Sequence, residues 1–128
     1  MNLLIGIFIV LLPTASAYAQ SRFDERLRES DIAFRTEAGR EYRAKINSQI
    51  VYFPQECAKF LSSYAGSFSL VGTILPTGKL SNVEVQPKDE ESECVAGVFR
   101  KMPPLPKPPA IFGAAGFPFG FTQQAPIP

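Results

Sequence analysis

The 128-residue chain has no histidine and no tryptophan, and only two cysteines and two methionines. Without histidine it lacks the commonest general base and the commonest metal ligand. Neither G-x-S-x-G nor H-E-x-x-H occurs, and two cysteines without histidine make a poor zinc site. These absences argue against an enzyme, and no catalytic residue, metal or cofactor is expected. An excess of one charge is missing too. Thirteen Lys and Arg against twelve Asp and Glu leave a net charge of +1. Such a chain has no large field with which to steer a nucleic acid or an anionic membrane, so no nucleic-acid partner is expected. The apolar run Leu3 to Leu12 is shorter than the ~20 residues that a membrane-crossing helix needs.

That run reads instead as the core of a secretion signal. Pro13 ends it, and Ala15-Ser16-Ala17 and Ala17-Tyr18-Ala19 offer the small residues that signal peptidase reads. Cleavage after Ala19 leaves Gln20 first. No Lys or Arg precedes the run, so an uncleaved anchor is the alternative. No cysteine stands at the cleavage site, which gives no indication of a lipoprotein. An exported chain is permitted a disulfide, and Cys57 and Cys94 are the pair available.

What remains has room for one domain and, at 45% apolar residues, can fill a modest core. Ser67 to Val85 reads as a hairpin. Phe68, Leu70 and Ile74 alternate with Ser69, Val71 and Thr73, the period of a half-buried strand. Gly72 marks a bulge or a close approach. Pro76-Thr77-Gly78 supplies the turn. Val83 and Val85 carry the second strand, with Leu80 out of phase at the turn exit.

Arg22 to Arg40 is densely charged, with a thin stripe of Phe23, Leu27, Phe34 and Ala38. It predicts a solvated helix or partly ordered arm that breaks near Gly39. Tyr42, Ile46, Ile50 and Phe53 share one helical face, giving a helix over 42–53 that Pro54 stops. A short helical turn and loop follow to Gly66. After the hairpin, Val95, Val98, Phe99 and Met102 form another apolar face. Asp89, Glu90, Glu91 and Glu93 crowd its start, and Arg100 and Lys101 its end. The four acids could form a cation or acid/base site, but complementing the helix dipole explains them with less. Pro103 to Pro109 must be extended and cannot be helix. Phe117, Phe119 and Phe121 then alternate with Pro118 and Gly120 as a short strand. Pro118 confines that strand to a sheet edge.

In this order the elements resemble the C-terminal domain of the TonB and TolA proteins, envelope energy transducers of Gram-negative bacteria. The residues that carry the resemblance begin with Tyr42-x3-Ile46-x3-Ile50 in the opening helix and Tyr64-Ala65-Gly66 before the first strand. They continue with Leu75-Pro76-Thr77-Gly78-Lys79-Leu80 at the family's x-P-D-G-x-L turn, Cys94 in the second helix and the proline stretch 103–109. TolA-type domains carry the partner cysteine in the first strand, where this chain has Phe68, so Cys57 would take its place.

The resemblance implies an α+β fold, a small antiparallel three-stranded sheet packed against two helices. Residues 1–19 would be the signal peptide, 20–41 a charged helical arm, 42–122 the domain and 123–128 a disordered tail. It further implies a periplasmic module that binds an envelope protein through an exposed sheet edge, here Phe117, Pro118, Phe119, Gly120, Phe121 and Thr122. No long rod precedes the domain, so the chain would be a free-standing receiving end, with no stable membrane insertion once the signal is cleaved. A small disulfide-closed inhibitor, or a conjugation or phage accessory protein on the same fold, is the alternative.

Overall fold

A computed structural model of the chain describes residues 9–11, 14–52, 54–60 and 66–124. Most of the apolar run Leu3 to Leu12, with Pro13, Phe53, Tyr64, Ala65 and the tail beyond Gln124, each named above, lies outside the described residues. The fold is α+β. Helices α1 (Ala15–Arg35) and α2 (Glu37–Asn47) come first, then a 3-10 turn over Gln55–Phe60. Strands β1 (Ser67–Ile74) and β2 (Leu80–Gln86) follow, then helix α3 (Glu90–Arg100) and strand β3 (Phe117–Gln124). The three strands form one antiparallel sheet in the order β2-β1-β3. None of the described helices is long and apolar enough to cross a membrane.

The hairpin forms as its sequence dictates. Phe68, Leu70 and Ile74 are buried on one face of β1, and Val83 and Val85 join them from β2. The register slips between Val71 and Thr73, at the Gly72 bulge. Leu80 belongs to β2, opposite Ile74, and is buried rather than stranded at the turn exit. Asn82 explains this. Its φ of 52° is left-handed, which breaks the two-residue alternation. Leu80 and Val83, three apart, can then both reach the core. At the turn, Gly78 has φ 90°, and a Cβ there would run into the Leu105 carbonyl. The Leu105 N–H donates to Gly78 O at 2.9 Å. Tyr42 Oη donates to Pro106 O at 2.7 Å. The proline crossing is therefore pinned between the hairpin turn and α2. Burial pushes the Tyr42 hydroxyl up to about 12, so it remains a donor at any ordinary pH.

Three helical expectations need correction. The charged stretch is no solvated arm: α1 packs across the sheet with Phe23, Ser30 and Ala33 buried. Phe23 and Val71 are buried outside the main core cluster, so they lie on the sheet's second face. A Cβ on Gly120, on that same face, would meet Leu27 and Ser30 of α1. The sheet is thus covered on both faces, by Phe23, Leu27 and Ser30 of α1 on one and by α2 and α3 on the other, where Ala33 and Phe34 at the end of α1 join the main core. A thin stripe suffices for α1 because it covers only one narrow row of sheet.

The break between the first two helices falls at Thr36, not Gly39. Thr36 Oγ1 accepts from the Gly39 N–H at 3.0 Å as N-cap of α2. Finally, α2 ends at Asn47, short of Pro54, and Ile50 is buried from the loop beyond it. The apolar spacing extended past the helix because the following loop folds back over the same core.

The two cysteines are joined. The Cys57–Cys94 disulfide ties the 3-10 turn to α3, with Cα atoms 5.8 Å apart. Gln123 and Gln124, expected in a disordered tail, belong to β3 opposite Phe68 and Ser67.

Candidate functional site

The six residues singled out for partner binding all lie on β3, at one edge of the sheet. Their side chains divide sharply. Phe117 and Phe119 are buried, Pro118, Gly120 and Phe121 are half-buried, and Thr122 is exposed. Phe117 meets Phe34 and Tyr42 edge-on, with ring centroids 5.0 Å apart in each case. Phe119 stacks on Phe99 of α3 at 6.1 Å. Phe121 is tilted against Phe99 at 5.5 Å and edge-on to Tyr52 at 5.0 Å. Period 2 aims all three phenylalanines at the main core; Phe117 and Phe119 are buried, so their rings cannot also serve a partner, whereas the half-buried Phe121 borders the groove described below. From Phe117 to Phe119 only the backbone of this strand can do so.

Two observations fix which backbone groups point outward. Pro118 has no N–H and stands opposite Thr73. The carbonyl of Gly120 accepts from Ser30 Oγ of α1 at 3.3 Å, away from β1. In an antiparallel pair the outward groups belong to alternate residues. The even-numbered residues of β3 therefore direct N–H and C=O to the edge. The close Ser69 Oγ to Thr122 Oγ1 contact of 2.7 Å agrees, since side chains approach most closely in the non-hydrogen-bonded pairs. From Phe117 to Gly120 the edge lies under the C-terminal half of α1. From Phe121 to Gln124, Thr122 and Gln124 face solvent. Beside this stretch runs a groove of about 370 Å³ between α1 and β3, with Asp31, Arg43 and Tyr52 on its walls.

The opposite edge is treated differently. Arg26 of α1 donates to Asn82 O at 2.8 Å and pairs with Glu84 at 3.3 Å. From the other face, Arg100 of α3 donates to Val83 O at 3.0 Å. Two guanidinium groups thus occupy carbonyls of β2, a known way of blunting an edge against other chains. Sequence reasoning missed all three edge-covering residues, Arg26, Ser30 and Arg100. Nothing in their local sequence marks them, because each acts on a strand more than fifteen residues away.

The acidic cluster does what a helix start requires, with one exception. Asp89 is the N-cap of α3: its Oδ1 accepts from the Ser92 N–H at 2.8 Å, and Ser92 Oγ accepts from the Asp89 N–H at 3.0 Å. Glu93 pairs with Arg100 at 3.5 Å on the surface. Among the described residues no group of three or more Asp, Glu or Cys is placed to hold a metal ion.

Glu91 is the exception. It is only 4% exposed, and its Oε1 has no hydrogen-bond partner. Burial pushes its carboxyl above the ordinary glutamate value, and the nearby Asp89 charge adds to the effect. A raised folded-state value contributes stability that is full below the ordinary glutamate range and lost as pH rises through the raised value. At neutral pH the carboxylate therefore destabilises the fold. Glu91→Gln should raise stability at pH 7 by about 1–2 kcal/mol. It should also flatten the pH dependence that Glu91 gives the native chain, whose melting temperature is expected to fall as pH rises through the raised glutamate value. Equal pH profiles for the two proteins would show that Glu91 is solvated.

No family model matches the chain, and neither do any curated proteins or solved structures.

Proposed function

We propose that this chain is a periplasmic protein-binding module, similar to the C-terminal domain of TonB and TolA, that engages an envelope protein along the open half of β3. The asymmetry of the two sheet edges carries the proposal. Arginines block β2 from both faces, whereas β3 from Phe121 to Gln124 keeps outward backbone groups beside a groove. An extended peptide can add to such an edge through main-chain hydrogen bonds. The order of elements and the Pro76-Thr77-Gly78 turn support the likeness to that family, and the Cys57–Cys94 disulfide is compatible with export. A small disulfide-closed inhibitor or a conjugation or phage accessory protein remains the second reading of the same fold.

Thr122→Pro tests the binding edge. It removes an outward N–H without taking a donor from the β1–β3 ladder, so the melting temperature should fall by only a few degrees. Capture of a specific partner from envelope extract should fall at least about tenfold, the equivalent of one lost main-chain hydrogen bond with its desolvation. Equal capture by the variant would rule out strand addition at this edge.

Export has its own test. In this reading the mature protein begins at Gln20, and cleavage removes the Thr14 cap and the first turn of α1. Intact mass of protein from an osmotic-shock fraction should match residues 20–128. Recovery of the Met1 form in the membrane pellet would point to an anchor.

A further inference from the structure

The open stretch of β3 is a slot with one closed end. At Gly120 the strand lies so close to α1 that a Cβ there would stand 3.3 Å from both Leu27 and Ser30. Ser30 Oγ already donates to the Gly120 carbonyl, and Pro118 beyond it has no N–H to offer. A strand added to β3 therefore finds outward backbone partners at Thr122 and Gln124 and runs out of them at Gly120. At that point it has to end or turn away.

The two charges beside the closed end are not equivalent. Among the described residues, Asp31 and Arg43 are the charged side chains that line the groove. Asp31 is already paired with Arg35 at 3.0 Å. Arg43 lies over the Phe34 ring, 5.3 Å from its centroid, and has no carboxylate partner among the described residues. A guanidinium laid against a ring at the end of a strand site can take a carboxylate in the bidentate geometry that arginine favours.

The direction of the added chain follows from this charge. β3 runs from Phe117 to Gln124, and both pairings within the sheet are antiparallel. A strand added antiparallel to β3 enters at Gln124 and reaches Gly120 last, so its C-terminal end arrives beside Arg43. A strand added in parallel would bring its positive N-terminal end to the same guanidinium, like charge against like.

We propose that the segment bound at β3 is a C-terminal one. The last residues of an envelope protein add antiparallel along Thr122 and Gln124, and their free α-carboxylate pairs with Arg43. This rests on strand addition at β3 and names the kind of segment that is added. Capture of a chain terminus is a recurring mode of peptide recognition. An internal segment lacks the carboxylate and has to turn away at Ser30.

Two pools of randomised hexapeptides test this on the oxidised protein. They are identical except that one ends in a free acid and the other in an amide. Fluorescence polarisation then gives the affinity of each enriched peptide and of its twin. Free acids should bind about tenfold or more tighter than the matching amides, the size of one charge-assisted hydrogen bond. Arg43→Gln changes an exposed side chain and should leave the melting temperature within a few degrees of native. It should weaken the free acids by the same factor and leave the amides unaffected, the non-additivity expected of groups in contact. Thr122→Pro should weaken both forms. Equal binding of acids and amides, or an equal loss for both in Arg43→Gln, overturns terminal capture. If Thr122→Pro still weakens binding in that case, strand addition at β3 stands without it. If no peptide is enriched, or Thr122→Pro weakens neither form, strand addition fails and terminal capture fails with it.

Discussion

Phe119→Ala is expected to destabilise the domain by about 3–5 kcal/mol, the range for truncating a fully buried phenylalanine. Phe119 is 1% exposed and stacks on Phe99, with Phe34 edge-on at 6.2 Å. It is therefore the point where β3, α1 and α3 meet. Small domains hold only about 5–15 kcal/mol in total, so this single change could consume much of the margin. Phe121→Ala is the control. Its ring packs against the same Phe99 but is half-buried, so the cost should be clearly smaller. Thermal unfolding of both variants beside the native protein would measure the difference. An unchanged melting temperature for Phe119→Ala would mean that the C-terminal strand does not belong to the fold, and the open edge assigned to it would go too.

The second large effect concerns the disulfide. Cys57 is fully buried in the core, whereas Cys94 is half-exposed at a groove on α3. The bridge closes a loop between residues 37 apart in sequence. In the chain-entropy model that closure is worth roughly 3–4 kcal/mol. Reduction should accordingly lower the melting temperature by roughly 10–25 °C for a domain of this size. Alkylation of the folded protein without reductant should label neither sulfur. Free labelling of both would show that the bridge does not form in the cell. A reduced protein that melts with the oxidised one would show that the 3-10 turn is held in place by packing alone.

How much of this was legible in the sequence differs from element to element. The hairpin was, because period-2 alternation, a bulge-forming Gly72 and a proline-glycine turn are local signals. The third helix was legible for the same reason: its apolar spacing and its acidic start are written within a dozen residues. So was the edge position of β3, since Pro118 cannot donate to a ladder on both sides. The course of α1 was not. Only Phe23 and Ala33 among its apolar residues are fully buried, and nothing local says that the sheet's second face needs a cover. The limits of α2 were misjudged because Ile50 keeps helical spacing while lying beyond the helix.

The sequence by itself determined which residues are apolar, which turns are possible and which two sulfurs could join. It also determined that no histidine is available for chemistry. Only the tertiary structure decided which parts of the sheet remain open. Arg26 and Arg100 reach the carbonyls of Asn82 and Val83, and Ser30 reaches that of Gly120, all across long sequence separations. The same holds for Glu91, whose place in a dipole-compensating cluster hid the fact that its Oε1 is buried without a hydrogen-bond partner. The physical reason is common to all of these. A propensity or a period is set by a residue's near neighbours in the chain. Edge capping and burial of a charge are set by whatever the fold brings alongside.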